Sequence, residues 1–256
     1  MRSQGDAAQE QYITARKNPA LQQVRRLLSS RRERETAGLY AGEGTKLLAE
    51  AVRHCPGLHT VILAEGISMD TPEGVRRIRV PAEVLASVST MDAPQGAIFL
   101  CCLPEKQTFV PRAGMLLLDG LQDPGNLGTI LRTADALDVP VALLEGCADP
   151  YSPKTVRASM GAVFRAPVVQ TTWAEVRSSC RRAGIPIGVT ALSPRAEDIR
   201  RADAASMAVV VGSEGQGVRR EILESAQREL IIPMNDHCES LNAAVAAAIV
   251  MWQMKN

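Results

Sequence analysis

The chain has 256 residues, 46% of them hydrophobic and 22% charged, and a formal net charge of +1. That length predicts two ordinary domains, and that balance predicts a soluble globular protein with enough apolar side chain for a real core. The small net charge excludes a global pull toward nucleic acid or anionic membrane, and the longest apolar run, residues 243–251, falls far short of the ~20 residues a membrane span needs.

The six cysteines, Cys55, Cys101, Cys102, Cys147, Cys180 and Cys238, contain no C-x-x-C pair and none of the spacing of a zinc site. They read as reduced thiols, and no metal is expected. A polar N-terminus without an apolar signal core adds to the expectation of a cytoplasmic protein with no membrane partner.

The N-terminal stretch is locally basic. Arg16, Lys17, Arg25, Arg26, Arg31, Arg32 and Arg34 outnumber the acidic residues around them. A polyanion feels such local charge at short range, and the plain alternative is a solvated helix face. Residues 13–30 set Leu21, Val24, Leu27 and Leu28 at helical spacing with basic side chains between them, which predicts one packed and one cationic face. Residues 39–44 read as a strand ending in a glycine turn, and 46–54 as a helix packed through Leu47, Leu48, Ala51 and Val52. Further strands are expected over 60–63, 75–80 and 97–103, with a helix near 81–89. The result is a small mixed α/β unit. The polar segment 104–114, with Pro104 and Pro111 and no clear period, is the expected boundary.

Beyond it strands and helices alternate. Strands are expected over 115–118, 139–144, 166–169, 185–190, 207–211 and 229–232. Helices are expected over 125–137, 153–161, 173–183 and 219–226, with a final helix from about Leu241. Alternation of this kind predicts a parallel sheet with helices on both faces.

Three loops at strand ends hold the polar and glycine residues that chemistry would use. The first, residues 119–128, contains Asp123-Pro124-Gly125-Asn126 and is followed by Arg132; Asn126 reads as a helix cap or a site residue. The second, Gly212-Ser213-Glu214-Gly215-Gln216-Gly217, has the glycine order G-x-x-G-x-G, where a dinucleotide fingerprint needs G-x-G-x-x-G, and no Gly-Lys-Ser/Thr follows as a P-loop would require. It reads as a tight strand-to-helix turn, in which a buried Glu214 carboxylate would need a partner. The third, residues 233–242, has Ser240 as a natural cap for the last helix and a His237-Cys238 pair, whose adjacency argues against a nucleophile and base facing each other. The final helix carries Leu241, Ala244, Val245, Ala248, Ile249 and Trp252 on one face and is apolar on its other sides too, so it is expected to be buried, in part against a second subunit.

Taken together and in this order, the loops resemble the SpoU (TrmH) family of S-adenosylmethionine-dependent RNA ribose 2′-O-methyltransferases, within the SPOUT superfamily. The matching stretches are Asp123-Pro124-Gly125-Asn126-Leu127-Gly128 through Arg132, Gly212 through Gly217, and Ile232-Pro233-Met234 through Glu239-Ser240-Leu241-Asn242. Residues 152–165 also resemble the family. The resemblance implies an α/β chain with an L30e-like RNA substrate-binding domain, 1–107, and a methyltransferase domain, 108–256, with a parallel sheet and a deep trefoil knot. It also implies a homodimer whose interface contains the active site.

By the same resemblance Gly212, Ile232 and Leu241, with Gly217 and Met234, hold S-adenosylmethionine, while Asn126, Arg132, Glu214, Ser240 and Asn242 form the catalytic set. Arg25, Arg26, Arg31 and Arg32 are the candidate RNA contacts. Aromatic residues are only 3% of the chain, which argues for recognition by shape and phosphate over base stacking. Ribosomal RNA, 23S in particular, is favoured over tRNA. A noncatalytic RNA-binding protein that keeps the cofactor pocket is the alternative from another class.

Overall fold

The computed structural model describes residues 10–166, 168–235, 237 and 239–256. In chain order it begins with β1 (Gln11–Tyr12), α1 (Pro19–Ser29), α2 (Arg31–Ala37), β2 (Leu39–Glu43), α3 (Thr45–His54), β3 (Leu58–Ala64), β4 (Arg76–Val80), α4 (Ala82–Ala86) and β5 (Ala97–Cys102). It continues with β6 (Met115–Leu118), α5 (Pro124–Leu137), β7 (Val141–Leu143), α6 (Pro153–Ala158), α7 (Ala162–Arg165), β8 (Val169–Gln170) and α8 (Trp173–Ala183). The last elements are β9 (Ile187–Thr190), β10 (Glu197–Asp198), β11 (Ala208–Val211), α9 (Arg220–Ser225), β12 (Arg228–Ile231) and α10 (Ala243–Gln253). Two compact units result, one of Met1–Pro104 with Tyr151–Arg165, the other of Glu105–Pro150 with Ala166–Asn256.

In the first unit, local chemistry fixes where the helices start and stop. The side chain of Asn18 accepts a hydrogen bond from the Ala20 amide, and Pro19 takes the first helical position. The helix expected over 13–30 therefore begins only at Pro19. Ser30 ends α1 in an extended conformation, and its hydroxyl then caps α2 by accepting from the Glu33 amide. Sequence periodicity missed α2 because its residues, RRERETA, carry no apolar stripe. Arg34 is buried and donates to the Leu27 carbonyl at 2.6 Å, meeting one of the carbonyls that the end of α1 leaves open.

The sheet of this unit has the order β1-β4-β3-β5-β2, parallel from β1 to β3 and antiparallel from β3 to β2. At Gly42 in β2 a Cβ would lie 2.2 Å from the Phe99 ring, so only glycine lets the two strands carry that ring between them. Tyr151 and Phe164 explain why 151–165 packs in this unit. The Tyr151 ring centroid is 5.0 Å from that of Tyr40, and Phe164 lies 6.0 Å from Phe99. Burial of these rings supplies far more driving force than the polar segments flanking them.

The second unit carries a seven-stranded sheet of order β10-β12-β9-β11-β6-β7-β8, with every neighbouring pair parallel. All four residues of β6 and all four of β11 are buried, as strands covered on both faces require. One face packs Leu117, Val189, Val210, Trp173 and Val176. The α/β architecture with a parallel sheet is the one expected from the alternating pattern. The two-residue edge strand β10 was missed because it is too short to show a period.

Candidate functional site

The carboxyl ends of β9, β11 and β12, three neighbours in the sheet, open onto a cavity of about 690 Å³. Such strand ends are where open parallel sheets bind ligands, and the volume is within the ~300–1,000 Å³ of small-molecule sites. Gly212, Gly217, Ile232, Met234 and Leu241, all expected at a cofactor, line it together with Glu214 and Ser240. The loop after β9, with Leu192, Ser193 and Arg195, forms another wall that periodicity and motif had not singled out.

The loop after β11 is a closed ring. Ser213 donates its amide to the Gly217 carbonyl at 3.1 Å, and the Gly217 amide returns a bond to the Ser213 carbonyl at 2.9 Å. A Cβ on Gly212 would sit 2.1 Å from the Gly217 carbonyl carbon, so the turn closes only around glycine. Glu214 lies in this loop and is exposed. It still has a partner, because the Asn126 side-chain amide donates to its carboxylate.

Two helix caps place the rest of the polar cluster. Asp123, not Asn126, caps α5, accepting from the Asn126 amide at 2.8 Å, which leaves the Asn126 side chain for the site. Asn242, not Ser240, caps α10, accepting from the amides of Ala244 at 2.9 Å and Val245 at 3.3 Å. The helix accordingly starts two residues later than expected. The Asn242 side-chain nitrogen donates to the Asn126 oxygen at 3.1 Å. Asn126, Glu214 and Asn242 thus form one hydrogen-bonded chain assembled from the first turn of α5, the loop after β11 and the cap of α10.

Arg132 is not part of that chain. It is exposed on α5 and, among the described residues, has no hydrogen-bond or ion-pair partner. His237 is exposed, whereas its sequence neighbour Cys238 lies outside the described residues. Among the described residues no three His, Cys, Asp or Glu side chains cluster as metal ligands would.

Two residues at the ends of the expected elements, Asp119 and Arg219, carry a role that their sequence setting did not assign. Asp119, at the end of β6, is only 1% exposed, and its carboxylate accepts from the Arg219 backbone amide at 2.8 Å and from Arg219 Nε at 2.6 Å. Arg219 Nη2 also donates to Glu145 at 2.9 Å, and Glu145 accepts from the Trp173 amide at the start of α8. Burial works against the Glu145 carboxylate, yet backbone donors and the Arg219 guanidinium outweigh it and hold its pKa below the ordinary range. A charged residue directly after the apolar run 115–118 was the available signal.

The final helix is buried on one side only. Ala243, Ala244, Ala247, Val250 and Met251 are covered, while Val245 is 48%, Ile249 36% and Trp252 61% exposed. With Thr129 and Thr133 of α5, the exposed three border a depression of about 520 Å³ that reaches Asn126 and Asn242.

In the first unit the four candidate arginines differ sharply. Arg25 donates to the carbonyls of Arg16 and Ser87 and to the Ser87 hydroxyl. Arg26 faces Glu33 at 3.4 Å and Arg31 faces Glu35 at 2.8 Å. Arg32 is exposed and, among the described residues, has no such partner.

A model of the SpoU rRNA Methylase family matches residues 114–252, more than half of the chain, and a model of the MRM3-like substrate binding domain matches residues 18–98. The 23S rRNA (guanosine(2553)-2′-O)-methyltransferase RlmP of Bacillus subtilis is 33% identical over 232 residues, covering 89% of this chain and 93% of that protein. The AdoMet-bound rRNA methyltransferase from Sinorhizobium meliloti is similar in structure, with a TM-score of 0.83 at 26% identity, over 96% of this chain and 97% of that one. A TrmH-family protein from Porphyromonas gingivalis gives a TM-score of 0.80 at 32% identity, over 92% and 96% of the two chains. With family model, relative and fold in agreement along most of its length, this chain belongs to the SpoU rRNA methylase family.

Proposed function

We propose that this chain transfers a methyl group from S-adenosylmethionine to a ribose 2′-hydroxyl of 23S ribosomal RNA, acting as a homodimer in the cytoplasm. The observation that carries this reading is the meeting, at one set of strand ends, of a 690 Å³ cavity and the Asn126–Glu214–Asn242 chain. Family membership and the Bacillus subtilis relative support the choice of ribosomal RNA.

The cavity suits the cofactor chemically. Leu192, Leu223, Ile232, Met234 and Leu241 offer apolar surface for the faces of an adenine, and the loop backbones offer N–H and C=O groups for its edges. Glu224 and Glu229 also line the cavity, but each is already paired with an arginine, Arg220 at 2.6 Å and Arg195 at 2.9 Å, so the apolar and backbone groups carry the fit. When bound, S-adenosylmethionine supplies an already activated methyl donor. The protein's own residues must orient the hydroxyl in line with it and ease loss of the proton. Asn126, itself bonded to Asn242, holds Glu214, whose carboxylate is the one member of the chain that can accept a hydrogen bond from the hydroxyl as an anion. An arginine is a fixed cation, so Arg132, exposed and unpaired among the described residues, is assigned to the RNA phosphate beside the reacting ribose.

The apolar strip of Val245, Ile249 and Trp252 beside the site supports a dimer in which a second copy covers α10 and completes the RNA pocket. The deep trefoil knot belongs to the same reading. It is supported by Glu239, Ser240, Leu241, Ala243 and Ala246 lining the same cavity as the loops after β9 and β11. In division of labour, the first unit grips the RNA, as the substrate-binding model over 18–98 suggests.

The test is methylation of unmodified 23S rRNA and tRNA transcripts with labelled S-adenosylmethionine, followed by mapping of 2′-O-methyl positions. One modified ribose in 23S rRNA is expected. Modification of tRNA alone, or cofactor binding without methylation of either RNA, overturns the reading. Trp252→Glu is expected to yield monomers in sedimentation, and dimers of unchanged stability would remove the dimer from it.

A further inference from the structure

A buried carboxylate needs an explanation, because an ion pair inside a protein is seldom more stabilising than apolar side chains of similar volume. Asp119 is 1% exposed, and the geometry around it is directional. Its backbone amide donates to the Val211 carbonyl at 2.9 Å, which holds the entry to the loop that carries Glu214. Its carboxylate binds the Arg219 amide at 2.8 Å and Arg219 Nε at 2.6 Å, which holds the exit. One residue therefore fastens both ends of loop 212–218.

Asp119 also stands four residues before Asp123, the cap that orients Asn126. Arg219 extends the tie to Glu145 after β7, and Glu145 in turn receives the Trp173 amide of α8. The two loops joined by the Asn126–Glu214 bond are thus held in register from beneath, by a network that itself contributes no atom to that bond. Glu214 is exposed and hangs from its own ring, so its position follows from where the ends of the ring are fixed.

We propose that Asp119 and Arg219 are positioning residues for methyl transfer, setting Glu214 against Asn126 by clamping both ends of loop 212–218. This inference rests on the methyltransferase reading above and adds to it residues that touch neither cofactor nor hydroxyl. The cofactor cavity has walls from the loops after β9 and β12 as well, so loosening this clamp weakens turnover more than cofactor binding.

The experiment compares wild type, Arg219→Ala, Arg219→Lys, Glu214→Gln and the double variant Arg219→Ala/Glu214→Gln on the 23S rRNA transcript, with S-adenosylmethionine binding followed by calorimetry and folding by thermal melting. Arg219→Ala is expected to lose about 10–100-fold in kcat, the scale of a displacement of order 1 Å in a reacting geometry. Its Kd for S-adenosylmethionine should stay within about threefold of wild type, the mark of an interaction that acts on turnover. Arg219→Lys keeps a cation against Asp119 without the planar fork, so it should melt near wild type and recover part of kcat. The double variant should be little slower than Glu214→Gln alone, since coupled residues are not additive. The inference is overturned if Arg219→Ala, or Arg219→Lys should the alanine variant not fold, keeps kcat within about twofold of wild type. It is equally overturned if the two losses multiply independently. A wild type that methylates neither transcript would instead count against the methyltransferase reading itself.

Discussion

The polar cluster at the strand ends and the arginine face of α1 and α2 are both made of paired side chains, and they are paired to opposite effect. Asn126, Glu214 and Asn242 bond to one another across distant segments, each anchored by its own cap or ring, so that pairing there preserves an open cavity. Arg25, Arg26 and Arg31 bond to carbonyls and carboxylates of their own helices and neighbours, so that pairing there consumes donors a phosphate would need. A charge therefore counts toward binding only when the fold leaves its hydrogen-bonding groups unanswered. By that measure Arg132 and Arg32, each unpaired among the described residues, are the informative ones among the candidate arginines.

Removal of the chain after Asn235 should break the first half of this contrast most completely. It deletes Asn242 and the α10 residues Ala243 and Ala246 that line the cavity, and S-adenosylmethionine binding should fall below detection by calorimetry. Arg132→Ala comes next: turnover should drop about 10²–10³-fold, as for loss of one charge-stabilising group, with cofactor affinity unchanged. Wild-type turnover in that variant would leave the free cation without a task. Gly212→Ala forces a Cβ against the Gly217 carbonyl carbon, and a strain of about 1–3 kcal/mol should weaken S-adenosylmethionine binding by roughly 5–150-fold in a titration. The smallest effect separates the arginines. Arg32→Ala should reduce the slope of log affinity for RNA against log salt by about one, as for a lost phosphate contact. Arg25→Ala should leave that slope nearly unchanged while lowering the melting temperature, because it gives up contacts to Arg16 and Ser87. Equal slopes for the two variants would erase the distinction.

Much of the site was legible because its residues sit in short contiguous motifs. The three loops, read together, led to the family that the comparisons establish, and all five expected cofactor residues line one cavity. The errors follow from what linear spacing cannot weigh. Ser240 and Asn242 are both good caps by residue type, and Asn242 takes the role because its own backbone leads directly into Ala243. Spacing gives no sign of where loop 212–218 lies, so the burial of Glu214 was left open; it is exposed, and the buried acid of the second unit is Asp119. Asp119 and Arg219 stand a hundred residues apart, and nothing in either neighbourhood announces the other.

By itself the sequence determined the alternation of strands and helices, the parallel sheet and the family, because periodicity and glycine-rich turns act over a few residues and survive in any tertiary setting. Only the tertiary structure decided which cations are free, which acid is buried and which of two polar residues caps a helix. Those outcomes depend on hydrogen-bond partners brought together from distant parts of the chain, where a difference of one or two bonds, about 1 kcal/mol each, selects the winner.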